Sequence, residues 1–162
     1  MRLIDRWAGI PLCFVTGVWS WIKSARKTKS DYYTKQDSPE IIVFIGLAEM
    51  GALVVAYPAI QEARKQYPNS RVCFITAPAG LQTLELMGFE KEEILLMSMS
   101  SLASMFLDLI RIRKNFSGKR VSAIVLEPFT RISALLTVWI GASQRIGCHR
   151  FFNEGSYVGN FL

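Results

Sequence analysis

From residue 40 onward the chain alternates short runs of β-branched and aromatic residues with longer segments of helical periodicity. This alternation leaves few folds open. Glu40-Ile-Ile-Val-Phe-Ile-Gly46 is a continuous apolar run, the pattern of a strand buried on both faces. A helix is predicted over Gly51 to Gln66, with Leu53, Tyr57, Ile60 and Arg64 along one side. Pro58 inside it lacks an amide hydrogen and should kink or restart it. Tyr67-Pro-Asn-Ser is a turn, and Arg71 to Thr76 a second strand. Residues 80–87 form a short helix that Gly88 closes. Glu93 to Met97 is the third strand, and Ser100 or Ser101 caps the next helix. In that helix Leu102, Met105, Phe106, Leu109, Ile112 and Phe116 recur at three- and four-residue steps, with Arg111, Arg113 and Lys114 toward its C-terminal end. Val121 to Leu126 is strand four, Arg131 to Ile140 a helix, and Gln144 to Gly147 a short fifth strand.

Strands separated by helices at this spacing imply parallel βαβ units with right-handed crossovers. The expected fold is α/β: a Rossmann-like parallel sheet with helices on both faces. In such sheets ligands bind beyond the carboxyl ends of the strands. The segments of interest are therefore Gly46–Ala52, Thr76–Gly80, Ser98–Ser100, Glu127–Arg131 and Gly147–Arg150.

Residues 1–30 differ from this body. They hold six basic residues against Asp5 alone, whereas the other 132 residues carry 13 basic and 12 acidic groups, so the net charge of +6 belongs largely to the N-terminus. A body so close to neutral argues against nucleic-acid binding, which spreads Lys and Arg over a folded face. Between the basic clusters, Trp7 to Ile22 runs without a charge and includes three tryptophans. It is shorter than the about 20 apolar residues of a spanning helix. Tryptophan favours the membrane–water interface, and flanking Lys and Arg are drawn to anionic headgroups. The preferred reading of 1–30 is a basic, Trp-rich amphipathic leader lying on the membrane surface; the alternative is a helix packed on the protein's own surface. Residues 31–40 read as a linker and 41–162 as the Rossmann-like domain. Three widely spaced cysteines without a C-x-x-C, and a single histidine, support neither a disulfide framework nor a metal site.

The first strand-end loop, Gly46-Leu-Ala-Glu-Met-Gly-Ala52, matches neither a dinucleotide fingerprint nor a P-loop, so no nucleotide cofactor is expected there. It does offer Glu49, a carboxylate before a helix start, and Gly51, which lets a ligand approach the backbone. Glu49 reads either as a general base or as a group complementing the helix dipole. Arg131 opens a helix, where a cation is unfavourable for the dipole. It implies either an anionic ligand or an ion pair with Glu127. Arg145, His149 and Arg150 gather near the fifth strand, where the cations can hold phosphate or acidic sugar groups; a lone histidine such as His149 also reads as merely structural.

Four stretches carry a resemblance. Ile41-Ile-Val-Phe-Ile-Gly-Leu-Ala-Glu-Met-Gly-Ala-Leu-Val-Val-Ala-Tyr-Pro-Ala-Ile60, with Ala63-Arg-Lys-Gln-Tyr-Pro68, Arg131-Ile-Ser-Ala-Leu-Leu136 and Gly141-Ala-Ser-Gln-Arg-Ile-Gly147, resembles glycosyltransferase family nine. This family contains the bacterial ADP-heptose:lipopolysaccharide heptosyltransferases. The stretches lie in the family's order over residues 40–150, and Ile4 to Cys13 resembles a leader found on some members.

The resemblance implies the N-terminal, acceptor-side domain of a GT-B enzyme. Such an enzyme transfers a heptose or similar sugar from a nucleotide-sugar donor to a lipid-linked lipopolysaccharide-core acceptor, inverting and metal-independent. It implies no cofactor, an ADP-heptose-like donor bound by a C-terminal domain beyond residue 162, and a cytoplasmic location at the inner face of the membrane. On that reading the chain is half an enzyme and inactive alone. The family's loop commonly carries Gly-Asp, and that aspartate is the expected base; here Ala52 follows Gly51. Glu49 then supplies the carboxylate from the same loop, with Gly51, Arg131, Arg145, His149 and Arg150 binding substrate. The competing reading is a non-catalytic Rossmann-like binding or scaffold protein. A flavodoxin- or response-regulator-like module is disfavoured, because the strand ends lack a flavin phosphate cradle and an acidic phosphoacceptor cluster.

Overall fold

The computed structural model describes residues 38–47, 50–127, 131–147, 151–152 and 156–157. Five parallel strands form one sheet in the order β3-β2-β1-β4-β5. They are β1 (Ile41–Gly46), β2 (Arg71–Thr76), β3 (Ile94–Leu96), β4 (Val121–Val125) and β5 (Gln144–Ile146). Four helices connect them: α1 (Met50–Gln66), α2 (Leu81–Leu86), α3 (Leu102–Phe116) and α4 (Arg131–Trp139). A small antiparallel pair, β6 (Phe151–Phe152) with β7 (Ser156–Tyr157), follows. The expected α/β Rossmann-like architecture is the one observed.

Alternation along β1 explains why the sheet sits in the middle. Ile41, Val43 and Ile45 face one side, in a core with Ile112 and Phe116 of α3 and Leu136 of α4. Ile42 and Phe44 face the other, with Leu53 and Ile60 of α1, Leu84 of α2 and Phe89. A strand that supplies both cores cannot carry a polar face, hence its unbroken apolar sequence. Phe44 stacks on Phe74 with ring centroids 6.1 Å apart, and Phe74 meets Phe89 edge-on at 5.9 Å. Arg64 closes this cluster, its guanidinium 4.4 Å above the Phe89 ring and 3.0 Å from Glu93. Emptying such a site by a Phe→Ala change costs about 3–5 kcal/mol.

Local chemistry sets the element ends. Ser101, rather than Ser100, caps α3: its Oγ accepts from the Ser104 amide at 3.1 Å, while the Ser104 hydroxyl receives the Ser101 amide in return. After α2, the Gly88 amide donates to Glu85 and the Phe89 amide to Leu84, with Gly88 at φ 80°. The same pattern ends α4, where Gly141 at φ 76° donates to Val138 and Ala142 to Thr137. Both are Schellman endings, which need a left-handed residue that glycine adopts without steric cost.

Three expectations are corrected in detail. Helix α1 runs unbroken through Pro58 instead of restarting. Pro58 and Val54 are both exposed, so water can receive the carbonyl that loses its partner. The buried stripe of α1 is Leu53, Ala56 and Ile60, and Tyr57 lies outside it, 41% exposed. On α3 only Ile112 and Phe116 are fully buried, and Leu102 and Phe106 face outward. At 3.6 residues per turn Leu102 and Phe106 lie about 80° and 120° round the helix from Ile112, which takes them off the buried stripe.

Candidate functional site

Chain direction reverses across the sheet between β1 and β4, which pair along Ile41–Ile45 and Val121–Val125. From β1 the chain moves through β2 to β3, then returns to the other side of β1. Ligands of open α/β sheets bind in the crevice outside the carboxyl ends at this switch point. Here it is framed by the segment after β1 and the segment after β4. The Leu126 amide donates to the Ile45 carbonyl at 3.0 Å, so the two strand ends are held together one residue past the ladder.

Glycine shapes the floor beside this crevice. A Cβ on Gly46 would stand 3.1 Å from Leu53 Cδ2, and one on Gly80 would stand 2.3 Å from Thr76 Oγ1 and 3.1 Å from Leu53 Cδ1. A side chain at Gly80 cannot be placed without moving Thr76, and one at Gly46 would press on Leu53. Gly51 differs: it is exposed in the first turn of α1, and nothing lies within 4 Å of the place its Cβ would take. The fold does not require a glycine there. Ala52, next to it, is half-buried. Glu49 lies outside the described residues.

The β4 side is built from buried polar groups. Glu127 follows the strand and is 4% exposed; Arg131 begins α4 and is buried; Ser133 is fully buried. Ser133 Oγ donates to Glu127 Oε2 at 2.9 Å, and Thr137 Oγ1, one turn further on, donates to the Ala134 carbonyl at 2.7 Å. Arg131, Glu127 and Ser133 all have polar or ionic partners. Among the described residues no buried side-chain nitrogen or oxygen lacks a hydrogen bond. A carboxylate and a guanidinium taken out of water are tolerated only when satisfied in this way. Glu127 thus emerges as an ordered acid at the switch point, whereas the sequence alone offers it only as an ion-pair partner for Arg131. Burial cannot be read from one acidic residue at a strand end.

Arg145 is the middle residue of β5, opposite Ala123 of β4, half-buried and engaged. It therefore lies within the sheet and not in the loop beyond it. His149 and Arg150 lie outside the described residues. The structure brings Gly51 and Arg131 to the two sides of one switch point and places Arg145 in the neighbouring edge strand. Among the described residues no helix is long and apolar enough to cross a membrane.

No family model and no curated protein matches the chain in sequence. Solved structures do match in fold. The heptosyltransferase WaaC of E. coli with ADP-2-deoxy-2-fluoro heptose superposes with a TM-score of 0.54 at 13% identity, over 72% of this chain and 38% of that one. The same enzyme with ADP gives 0.53 at 12% identity, over 74% and 41%. The chain thus spans about two fifths of the length of these structures. Its five-stranded parallel sheet is a Rossmann-like fold similar to part of the WaaC glycosyltransferase.

Proposed function

We propose that this chain is the acceptor-side half of an inverting glycosyltransferase acting on a lipid-linked, lipopolysaccharide-core type oligosaccharide. The observation that carries the reading is the WaaC-like sheet with its switch point between β1 and β4. The donor is a nucleotide-activated heptose or a similar sugar, held by a second domain, and the reaction needs no metal. Glu49, in the loop that leads into α1, takes the proton of the acceptor hydroxyl as its oxygen attacks the anomeric carbon. The bond from that carbon to the diphosphate breaks, and the nucleoside diphosphate leaves with the electron pair. Gly51 leaves open backbone beside this point. Arg131, Arg145, His149 and Arg150 bind anionic groups of the acceptor, and the basic, Trp-rich residues 1–30 hold the enzyme at the inner face of the cytoplasmic membrane.

The test is transfer of sugar from ADP-heptose to a lipid A–core acceptor by the chain joined to its donor domain, against the Glu49→Gln variant. Turnover should fall at least about 100-fold; unchanged turnover removes Glu49 from the mechanism. Acceptor binding with no transfer by the intact protein would favour the scaffold reading, which Ala52 in the expected aspartate position supports.

A further inference from the structure

Helix α3 carries an apolar face that the sheet does not cover. Leu102 is 64% exposed, Phe106 55%, Leu107 67% and Ile110 38%, while the same helix buries Ile112 and Phe116 on its other side. At 3.6 residues per turn these four side chains spread over about 140° of the helix surface, next to the buried stripe. Exposed large apolar groups gathered on one helix are uncommon on a surface that meets only water.

Charge identifies the occupant. Arg113 and Lys114 lie one turn beyond Ile110, exposed, near the two margins of the apolar sector, Arg113 also donating to the Trp139 carbonyl with its guanidinium 5.4 Å from the Trp139 ring. The acid of the helix, Asp108, is turned inward, accepting from the Ser98 amide at 2.8 Å and paired with Arg111 at 2.9 Å. The exposed face is therefore apolar and cationic, with no outward acid on the helix. A second copy of this face would bring like charges together. An anionic lipid surface complements it: apolar side chains enter the acyl boundary and the cations meet headgroup phosphates. Position agrees, since only five residues separate the end of β3 from the start of α3, which therefore begins at the carboxyl edge of the sheet, the edge that holds the candidate site.

We propose that the exposed face of α3 is a membrane-contact surface of this domain, binding anionic phospholipid in addition to whatever residues 1–30 contribute. It deepens the membrane part of the reading above but does not depend on sugar transfer, because the test contains neither donor nor acceptor. The full chain is mixed with vesicles of phosphatidylethanolamine and phosphatidylglycerol, and the bound fraction measured by flotation. The Leu102→Ser/Phe106→Ser/Leu107→Ser variant should bind at least about tenfold more weakly. Lys114→Gln should lose about fivefold on these vesicles and nothing on phosphatidylcholine. Unchanged binding of the triple variant overturns the proposal. So does a triple variant that turns an oligomer into a monomer while vesicle binding stays the same, which would assign the face to a second copy. Hydroxyl-radical footprinting of the unaltered chain reads the same face without any substitution. Phe106 and Leu107 should lose most of their labelling when vesicles are added, and undiminished labelling also overturns the proposal.

Discussion

Ser133, one turn into α4, donates its hydroxyl hydrogen to the buried carboxylate of Glu127 across 2.9 Å, tying the start of the helix to the end of β4. The bond fixes an acid at the sheet's switch point. Ser133→Ala removes a donor from a carboxylate that stays buried, and the protein should lose about 1–3 kcal/mol. Chemical denaturation of the two forms measures it. An equal midpoint would mean that other partners of Glu127 hold it alone.

The two glycines near the strand ends should separate by experiment. Gly80→Ala sets a methyl group 2.3 Å from Thr76 Oγ1 and should lower stability by about 1–3 kcal/mol, the usual cost of overpacking. Gly51→Ala meets open space and should leave stability equal or slightly raised. If the backbone at Gly51 meets the acceptor, that substitution should still raise the acceptor KM in the intact enzyme. Thermal melts and steady-state kinetics together read both effects.

Cys73 sits in β2, 2% exposed, with its thiol pKa pushed above the ordinary value of 9.0 chiefly by burial; Arg71 opposes the shift, Glu93 adds to it and Lys119 opposes it. In a Cys13→Ser/Cys148→Ser background the folded protein should resist Ellman's reagent at pH 8 and react promptly once unfolded. The sign of the linkage follows from the raised value. The unfolded chain releases the thiol proton first, so this group's contribution to stability is whole below pH 9 and declines as pH rises past it. Denaturation midpoints between pH 7 and 10, compared with Cys73→Ala over the same range, isolate that share.

Removing residues 1–30 takes away six cations and three tryptophans. Membrane pelleting should fall markedly, leaving the share held by α3. Pelleting equal to that of the whole chain would show that the leader packs on protein and not on lipid.

The order of strands and helices was legible because each element carries its own local signal. The two-sided strand β1 needs Ile41 to Ile45 without a polar break, and Gly88 and Gly141 mark helix ends that only a left-handed residue completes. Faces were less legible than elements. Leu102 and Phe106 belong to the same run of three- and four-residue steps as Ile112, but at 3.6 residues per turn Phe106 lies about 120° round the helix from Ile112, off the buried stripe. Ala56 and Tyr57 are adjacent in sequence and both fit the helical period from Leu53, yet Ala56 is buried and Tyr57 is exposed. At the site, sequence singled out Arg131 from its misfit with the helix dipole, and it is indeed buried and engaged. Glu127 carried no comparable signal, because its burial and its bond to Ser133 arise only once β4 and α4 are joined.

Strand β1 pairs with β2 over six residues and with β4 over five, whereas β3 and β5 each engage a single neighbour through three. Each β1 amide points to one of two flanking strands and reaches solvent only when an inner ladder opens, so the β1 amides should be among the last of the described residues to take up deuterium. The rim strands can detach while that centre persists. Because the crevice is rooted between β1 and β4, its two walls belong to the unit that opens least often, and loosening at the sheet's rims leaves their spacing unchanged.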